Sequence, residues 1–254
     1  MAGESDRPFD GTGEAVITSA VARVARKPLT PDALPDRVAV IGLLIPVLLI
    51  VGLSALSPTN GSAAPITISN IELLAGVAVE LFLTITVGVW LWRSGWRPHR
   101  SATLPFHHQD LARGLGLWVS AIFSVAVWAV LVRALLPDLL AISKETQLLG
   151  APSFWVSLSF SIYNAIFEEL LWLGLGFAAL RRFGIVPAAA ISIGLRLLAH
   201  AYQGPLALVT VLPIGVLFTV YYVRTRRIWP IVVAHAFQDT LALTLLARAA
   251  GSSP

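Results

Sequence analysis

From Arg37 onward the chain is a series of apolar runs broken by short polar punctuation, at about 38–56, 71–92, 114–136, 153–180, 186–202, 206–223 and 229–247. A helix rises ~1.5 Å per residue, so about 20 apolar residues cross a bilayer core of ~30 Å. Seven such runs in 254 residues leave no soluble stretch large enough to fold alone. Composition agrees: 56% of the residues are hydrophobic and 13% are charged, against about 25% charged in a typical soluble domain. That much apolar surface cannot be hidden in one water-facing core of this size. The expected fold class is all-α, a polytopic transmembrane helical bundle of about seven spans, with the lipid bilayer as its partner.

Residues 1–36 are polar, carry both signs of charge and lack the pattern of a signal peptide, so a flexible cytoplasmic tail is expected there. N-terminal transmembrane helices follow over 37–152, a helical core over 153–247 and a short tail over 248–254. Lys and Arg beside each run set the orientation. Arg23, Arg26, Lys27 and Arg37 precede the first run, and Arg93, Arg97 and Arg100 follow the second. Arg181 and Arg182 follow the fourth, and Arg224, Arg226 and Arg227 the sixth. The loop 57–70 and the turn 203–205 are uncharged, and 137–152 carries one Lys offset by Asp138 and Glu145. This alternation predicts a multi-pass cell-membrane protein with its N-terminus cytoplasmic and its C-terminus outside. It also accounts for the net charge of +4 without a nucleic-acid partner, because the basic residues form no stripe and accompany no aromatic platform. With no Cys, thiol nucleophiles and thiolate metal sites are excluded.

So few charges make the buried ones conspicuous. An ionised side chain at the bilayer centre costs about 2.5–3.5 kcal/mol on insertion scales, so each one needs a partner or a function. Inside the runs lie Glu80, Glu168, Glu169, Arg196, His200, His235 and Asp239. Glu168 and Glu169 are adjacent and therefore point about 100° apart on a helix, which suits two distinct roles. Arg196 with His200, and His235 with Asp239, are i and i+4 pairs that share a helix face. Counting from the nearest basic loop puts Glu168 about 20 Å deep, His200 about 24 Å, Asp239 about 16 Å and His235 about 10 Å. Tilt absorbs differences of that order, so one shared interior site is geometrically accessible. Glu80 has no such partner and reads as a structural or lumen-facing acid. His107 and His108 read as a solvated loop pair, and Gly42, Gly76, Gly88 and Gly174 as close-packing positions between helices.

A carboxylate shielded from bulk water can take a proton from a bound water, and imidazoles can bind a metal or polarise a carbonyl. The set fits water activation and peptide hydrolysis. No Gly-x-Ser-x-Gly, no His-Glu-x-x-His and no intramembrane aspartate pair is present.

The order Glu168-Glu169, then Arg196-Leu197-Leu198-Ala199-His200, then His235-Ala236-Phe237-Gln238-Asp239 resembles the three motifs of the CPBP intramembrane proteases. That family includes the type II CAAX prenyl endopeptidases, the Abi proteins and bacteriocin-immunity proteins. The resemblance covers about 153–247. It implies catalytic roles for Glu168, Glu169, His200, His235 and Asp239: Glu168 activates water, Glu169 assists or positions, His200 contacts the water or an oxyanion, and His235 with Asp239 completes the site. It leaves a divalent metal such as zinc open, with Glu168, His200 and His235 as its ligands. The implied partner is a protein or peptide substrate, membrane-anchored in the best-known branch. Two positions depart from the motifs. Leu173 stands where the first motif, Glu-Glu-x-x-x-Arg, has Arg, and Arg196 stands where the second, Phe-x-x-x-His, has Phe. Arg196 is therefore expected in a supporting role, as the counter-charge to Glu168 or Glu169. Two other classes use the same residues: a non-catalytic membrane scaffold or immunity protein on this fold, and a proton-coupled transporter.

Overall fold

The computed structural model describes residues 36–56, 66–95, 105–138, 148–149 and 152–251. The expected tail lies outside these apart from Asp36. Seven helical segments coincide with the seven apolar runs: α1 (Asp36–Leu56), α2 (Asn70–Arg93), α3 (Gln109–Leu135), α4 (Phe154–Leu180), α5 (Ile185–Ala199), α6 (Leu206–Thr225) and α7 (Trp229–Gly251). Helices α2, α3 and α4, and Ala207–Thr225 of α6, are long and apolar enough to cross a membrane; Arg37–Leu53 and Ile185–Ala199 are shorter apolar helices. The outward faces carry large exposed apolar side chains, among them Leu48, Phe82, Phe123, Val130 and Trp155. A surface of that kind suits lipid as its solvent.

Helix α2 opens with a capping box in which Ser69 and Glu72 satisfy each other's backbone N–H groups. Just before α2 and α4, the two-residue strands β1 (Ile66–Thr67) and β2 (Leu148–Leu149) pair in parallel. The Ser153 amide donates to Asn70 Oδ1 at 2.8 Å. These links put the start of α2 and the start of α4 at the same end of the bundle, as a regular alternation of spans requires.

Helix α4 is the central element. Its first half packs on α2 and α7 and its second half on α1 and α5, while α7 also lies along α3. Ala165, Trp172 and Leu173 are fully buried in the three apolar clusters that α4 touches. Some boundaries differ from the expected ones, each for a physical reason. Helix α3 begins at Gln109 rather than near 114, because Asp110 is buried and fully paired. Arg227 donates to it from Nε at 2.8 Å and from Nη2 at 2.6 Å, and the His107 amide donates at 2.9 Å. His107 is an exposed loop residue, as expected, and also part of a clamp between the start of α3 and the α6–α7 turn, since Arg227 Nη2 reaches its Nδ1 at 2.7 Å. Helix α7 runs on to Gly251, four residues into the expected C-terminal tail.

The glycine at the tightest contact is one the sequence pattern did not single out. A Cβ on Gly114 of α3 would lie 2.5 Å from Val233 Cβ and 2.9 Å from the Pro230 carbonyl oxygen of α7. Gly76 faces Phe160 at 3.3 Å, whereas Gly88 faces open space. Gly114→Ala is expected to force α3 and α7 apart and destabilise the protein by about 1–3 kcal/mol. Gly116→Ala, which meets nothing within 4 Å, should change stability by less than about 0.5 kcal/mol. Unfolding of the two variants in matched detergent checks this pair.

Candidate active site

Asn164, Glu168 and Trp172 follow one another at i, i+4 and i+8 on α4, and Glu169 points to the neighbouring face. Directly after the two glutamates, Leu170–Leu175 form a π-helical turn, closed by the Gly176 amide on the Leu171 carbonyl five residues back. Such single wide turns interrupt helix regularity and are frequent at functional sites. This one is tied to α5 by Ser192 Oγ, which donates to the Trp172 carbonyl at 2.8 Å. The Trp172 indole N–H points back along the helix and donates to Glu168 Oε2 at 3.2 Å.

Glu169 is fully buried and holds two helices to α4. Arg196 of α5 donates from Nη2 to its Oε2 at 2.7 Å, and His235 of α7 meets its Oε1 through Nδ1 at 2.7 Å. Arg196 is itself buried, its stem packed at the Gly215 surface of α6. The other nitrogen of His235 lies 3.4 Å from Asp239 Oδ2, and Asn164 Nδ2 donates to that same oxygen at 2.9 Å. Asp239 is therefore oriented by α4 as well as by its own helix.

Helix α5 ends one residue before His200, which caps it with φ −98° and ψ 13°. A 3₁₀ turn, Ala201–Gln203, follows. The expected run to 202 is cut short here, because Gly204 takes a positive φ of 59° and Pro205 starts the next helix. His200 Nδ1 lies 2.9 Å from the Arg196 carbonyl oxygen. A carbonyl only accepts, so Nδ1 carries the hydrogen and Nε2 is turned toward Glu168. That nitrogen is 3.8 Å from Glu168 Oε1, too long for a direct bond and short enough for one water to bond both.

All six residues singled out by charge and spacing thus converge. Three more join them. Asn164 is not ionisable, so the scarcity of charge does not mark it. Trp172 is likewise uncharged. Glu80, on α2, lies within electrostatic reach of Glu168, Asp239 and His235 rather than apart from them.

Among the described residues no group of three His, Asp or Glu side chains forms a metal site. Both ring nitrogens of His235 already face carboxylates, so Glu168, His200 and His235 as arranged do not fit a three-ligand zinc site. No step below is routed through a metal.

Residues 150–241 match the family described as type II CAAX prenyl endopeptidase Rce1-like. That segment, under half of the chain, is similar to this family. No curated protein and no solved structure matches the chain. Every site residue named above except Glu80 falls inside the matched segment. Within it, Leu173 stands at the motif's Arg position, buried in an apolar cluster with Phe177 and Phe218. The positive charge comes instead from Arg196 on the adjacent helix, and its partner is Glu169. Removing one member of a buried ion pair strands the other, at a cost of about 3–5 kcal/mol. Arg196→Leu is accordingly expected to destabilise the protein by that amount, and Arg196→Lys by less. Denaturant unfolding in detergent measures both; unchanged stability in Arg196→Leu would remove Arg196 from the account.

Proposed function

We propose that this protein is an intramembrane endopeptidase of the CAAX-protease type, with Glu168 as the general base. The observation that carries this reading is the Glu168–His200 gap, with Oε1 and Nε2 set 3.8 Å apart across a half-buried site. One water placed there donates a hydrogen to each. Glu168 takes a proton as the water oxygen attacks the carbonyl carbon of the substrate peptide. The tetrahedral intermediate then collapses, the C–N bond breaks, and the proton on Glu168 passes to the leaving amine. Trp172 holds the Glu168 carboxylate in place from its other oxygen.

The oxyanion needs a donor. Arg196 Nη2 is engaged by Glu169, and the His200 Nδ1–H by a backbone carbonyl. His235 Nε2 lies 3.4 Å from Asp239 Oδ2 without a hydrogen bond in this arrangement, and it is the donor assigned to the oxyanion. Glu169 acts through others, fixing Arg196 and His235. The substrate class suggested by the family description is a peptide with a prenylated C-terminus, which the bilayer would deliver to a site between helices.

The test uses the full-length protein in proteoliposomes with a panel of prenylated fluorogenic peptides. Wild type is expected to cleave members of the panel, and Glu168→Gln to lower kcat by about 10²–10⁴-fold with unchanged unfolding. Prior dialysis against a chelator should leave the rate unaltered. Activity lost to the chelator and restored by zinc would mean that Glu168, His200 and His235 close on a metal in the working enzyme. Equal rates in wild type and Glu168→Gln would support the scaffold reading.

A further inference from the structure

A side-chain amide nitrogen carries two hydrogens, and Asn164 uses one of them. Its Nδ2 donates to Asp239 Oδ2 at 2.9 Å, and among the described residues no acceptor meets the other N–H. Asn164 sits on α4 one turn before Glu168, on the same face of the helix, and is 8% exposed. His235 Nε2 approaches the same Asp239 oxygen to 3.4 Å. Nitrogens from two helices thus converge on one carboxylate oxygen, a helical turn from the acid that faces His200. This side of the cluster keeps some surface open, with Asp239 25% exposed, His200 17% and Glu168 14%. Glu169, behind it, is sealed.

When a peptide carbonyl is attacked its oxygen becomes an oxyanion, and sites that stabilise one aim preorganised donors at it, Asn side chains among them. His235 Nε2 supplies a first donor. A carboxylate accepts and does not donate, so Asp239 cannot add a second. Its negative charge also disfavours an oxyanion nearby, which makes a further donor there the more valuable. Asn164 has the needed properties. It lies beside His235 and carries an N–H that no described group takes up. It is also fixed before any substrate arrives. The amide is planar, so the bond to Asp239 orients the whole group, and the second N–H diverges from the first.

We infer that Asn164 is a catalytic residue, its second Nδ2–H donating to the oxyanion alongside His235 Nε2 while Asp239 holds the amide in place. This rests on the peptidase reading and adds a residue to it. As the water oxygen bonds to the carbonyl carbon, the C=O π pair moves onto the carbonyl oxygen, which accepts from Asn164 and His235. When the C–N bond breaks, the pair returns and the carbonyl re-forms. Asn164 transfers no proton at either stage.

The experiment uses the full-length protein in nanodiscs with two series of prenylated peptides. One series replaces a backbone amide by a phosphinate, a tetrahedral anion, and the other by a ketomethylene, a planar neutral carbonyl. The replacement is moved along the chain. At one position the phosphinate is expected to bind at least about 10²-fold more tightly than the ketomethylene. Asn164→Leu should cut that preference about tenfold or more and lower kcat for the parent peptide about 10²-fold. Ketomethylene binding should stay within about twofold, and Asn164→Gln, which keeps the donors, should retain part of the preference. A second readout needs no altered protein in the measurement itself. The chain has three asparagines, Asn60, Asn70 and Asn164, so nitrogen-15 asparagine labelling gives three side-chain amide pairs, and Asn164→Gln identifies one. On phosphinate binding, one of the two Asn164 amide protons is expected to move downfield, and on ketomethylene binding neither. A bound phosphinate that leaves both protons unmoved overturns the inference, and so does a protein with no phosphinate preference at any position. Cleavage of the parent peptide separates the two readings. An Asn164-dependent phosphinate preference without cleavage removes the peptidase reading alone, and cleavage with both Asn164 protons unmoved removes this one alone.

Discussion

The Glu169 carboxylate, buried in the middle of α4 and bonded from two sides, is the contact on which the rest of the arrangement depends. Taken alone, an ionised carboxylate in an apolar bundle would be prohibitively unfavourable. Arg196 and His235 make it tolerable, and in doing so they tie α5 and α7 to α4. The consequence reaches the adjacent residue. With Glu169 engaged toward α5 and α7, the helix turns Glu168 toward His200 and Trp172. The structural acid and the reactive acid are neighbours in sequence because 100° of helix rotation is enough to give them separate environments.

Two irregularities in the backbone make the geometry possible. Helix α5 has 15 residues, about 22 Å at the usual rise, which is short for a bilayer core. Its end therefore falls within the bundle, and the residue at that end is His200, held by the Arg196 carbonyl. The π-helical turn after Glu169 brings Trp172 back toward Glu168 and offers its carbonyl to Ser192. Irregular backbone at this depth is permissible where protein surrounds it and polar groups find partners, which both segments satisfy. The Asp110–Arg227 clamp does comparable work at one end of the bundle, joining the start of α3 to the turn into α7.

Much of this was legible in the chain because apolar periodicity and charge scarcity are strong signals in a membrane protein. The seven runs gave the seven helical segments within a few residues, and the i, i+4 pairs at Arg196/His200 and His235/Asp239 did converge with the two glutamates. The relocation of a positive charge from position 173 to position 196 was also readable, since a missing Arg and a misplaced one are visible together. What was not legible depended on contacts between distant residues. Asp110 could not be known to be buried until Arg227, far along the chain, was seen to reach it. Gly114 looked no different from Gly88, because only the path of α7 decides which glycine is pressed. Asn164 and Trp172 carry no net charge and so passed a search built on charge. The π turn has no residue signature in Leu170–Leu175 and follows from the packing of α4 against α5.

The most direct measurement of the central claim is a double-mutant cycle on stability with Glu169→Leu, Arg196→Leu and the combined variant. If the buried pair is the organising contact, Arg196→Leu leaves an uncompensated carboxylate, and removing that carboxylate as well relieves the strain. The combined variant is then expected to be more stable than Arg196→Leu alone, with a coupling of at least ~1 kcal/mol. A combined variant destabilised by the simple sum of the two single changes would contradict the account.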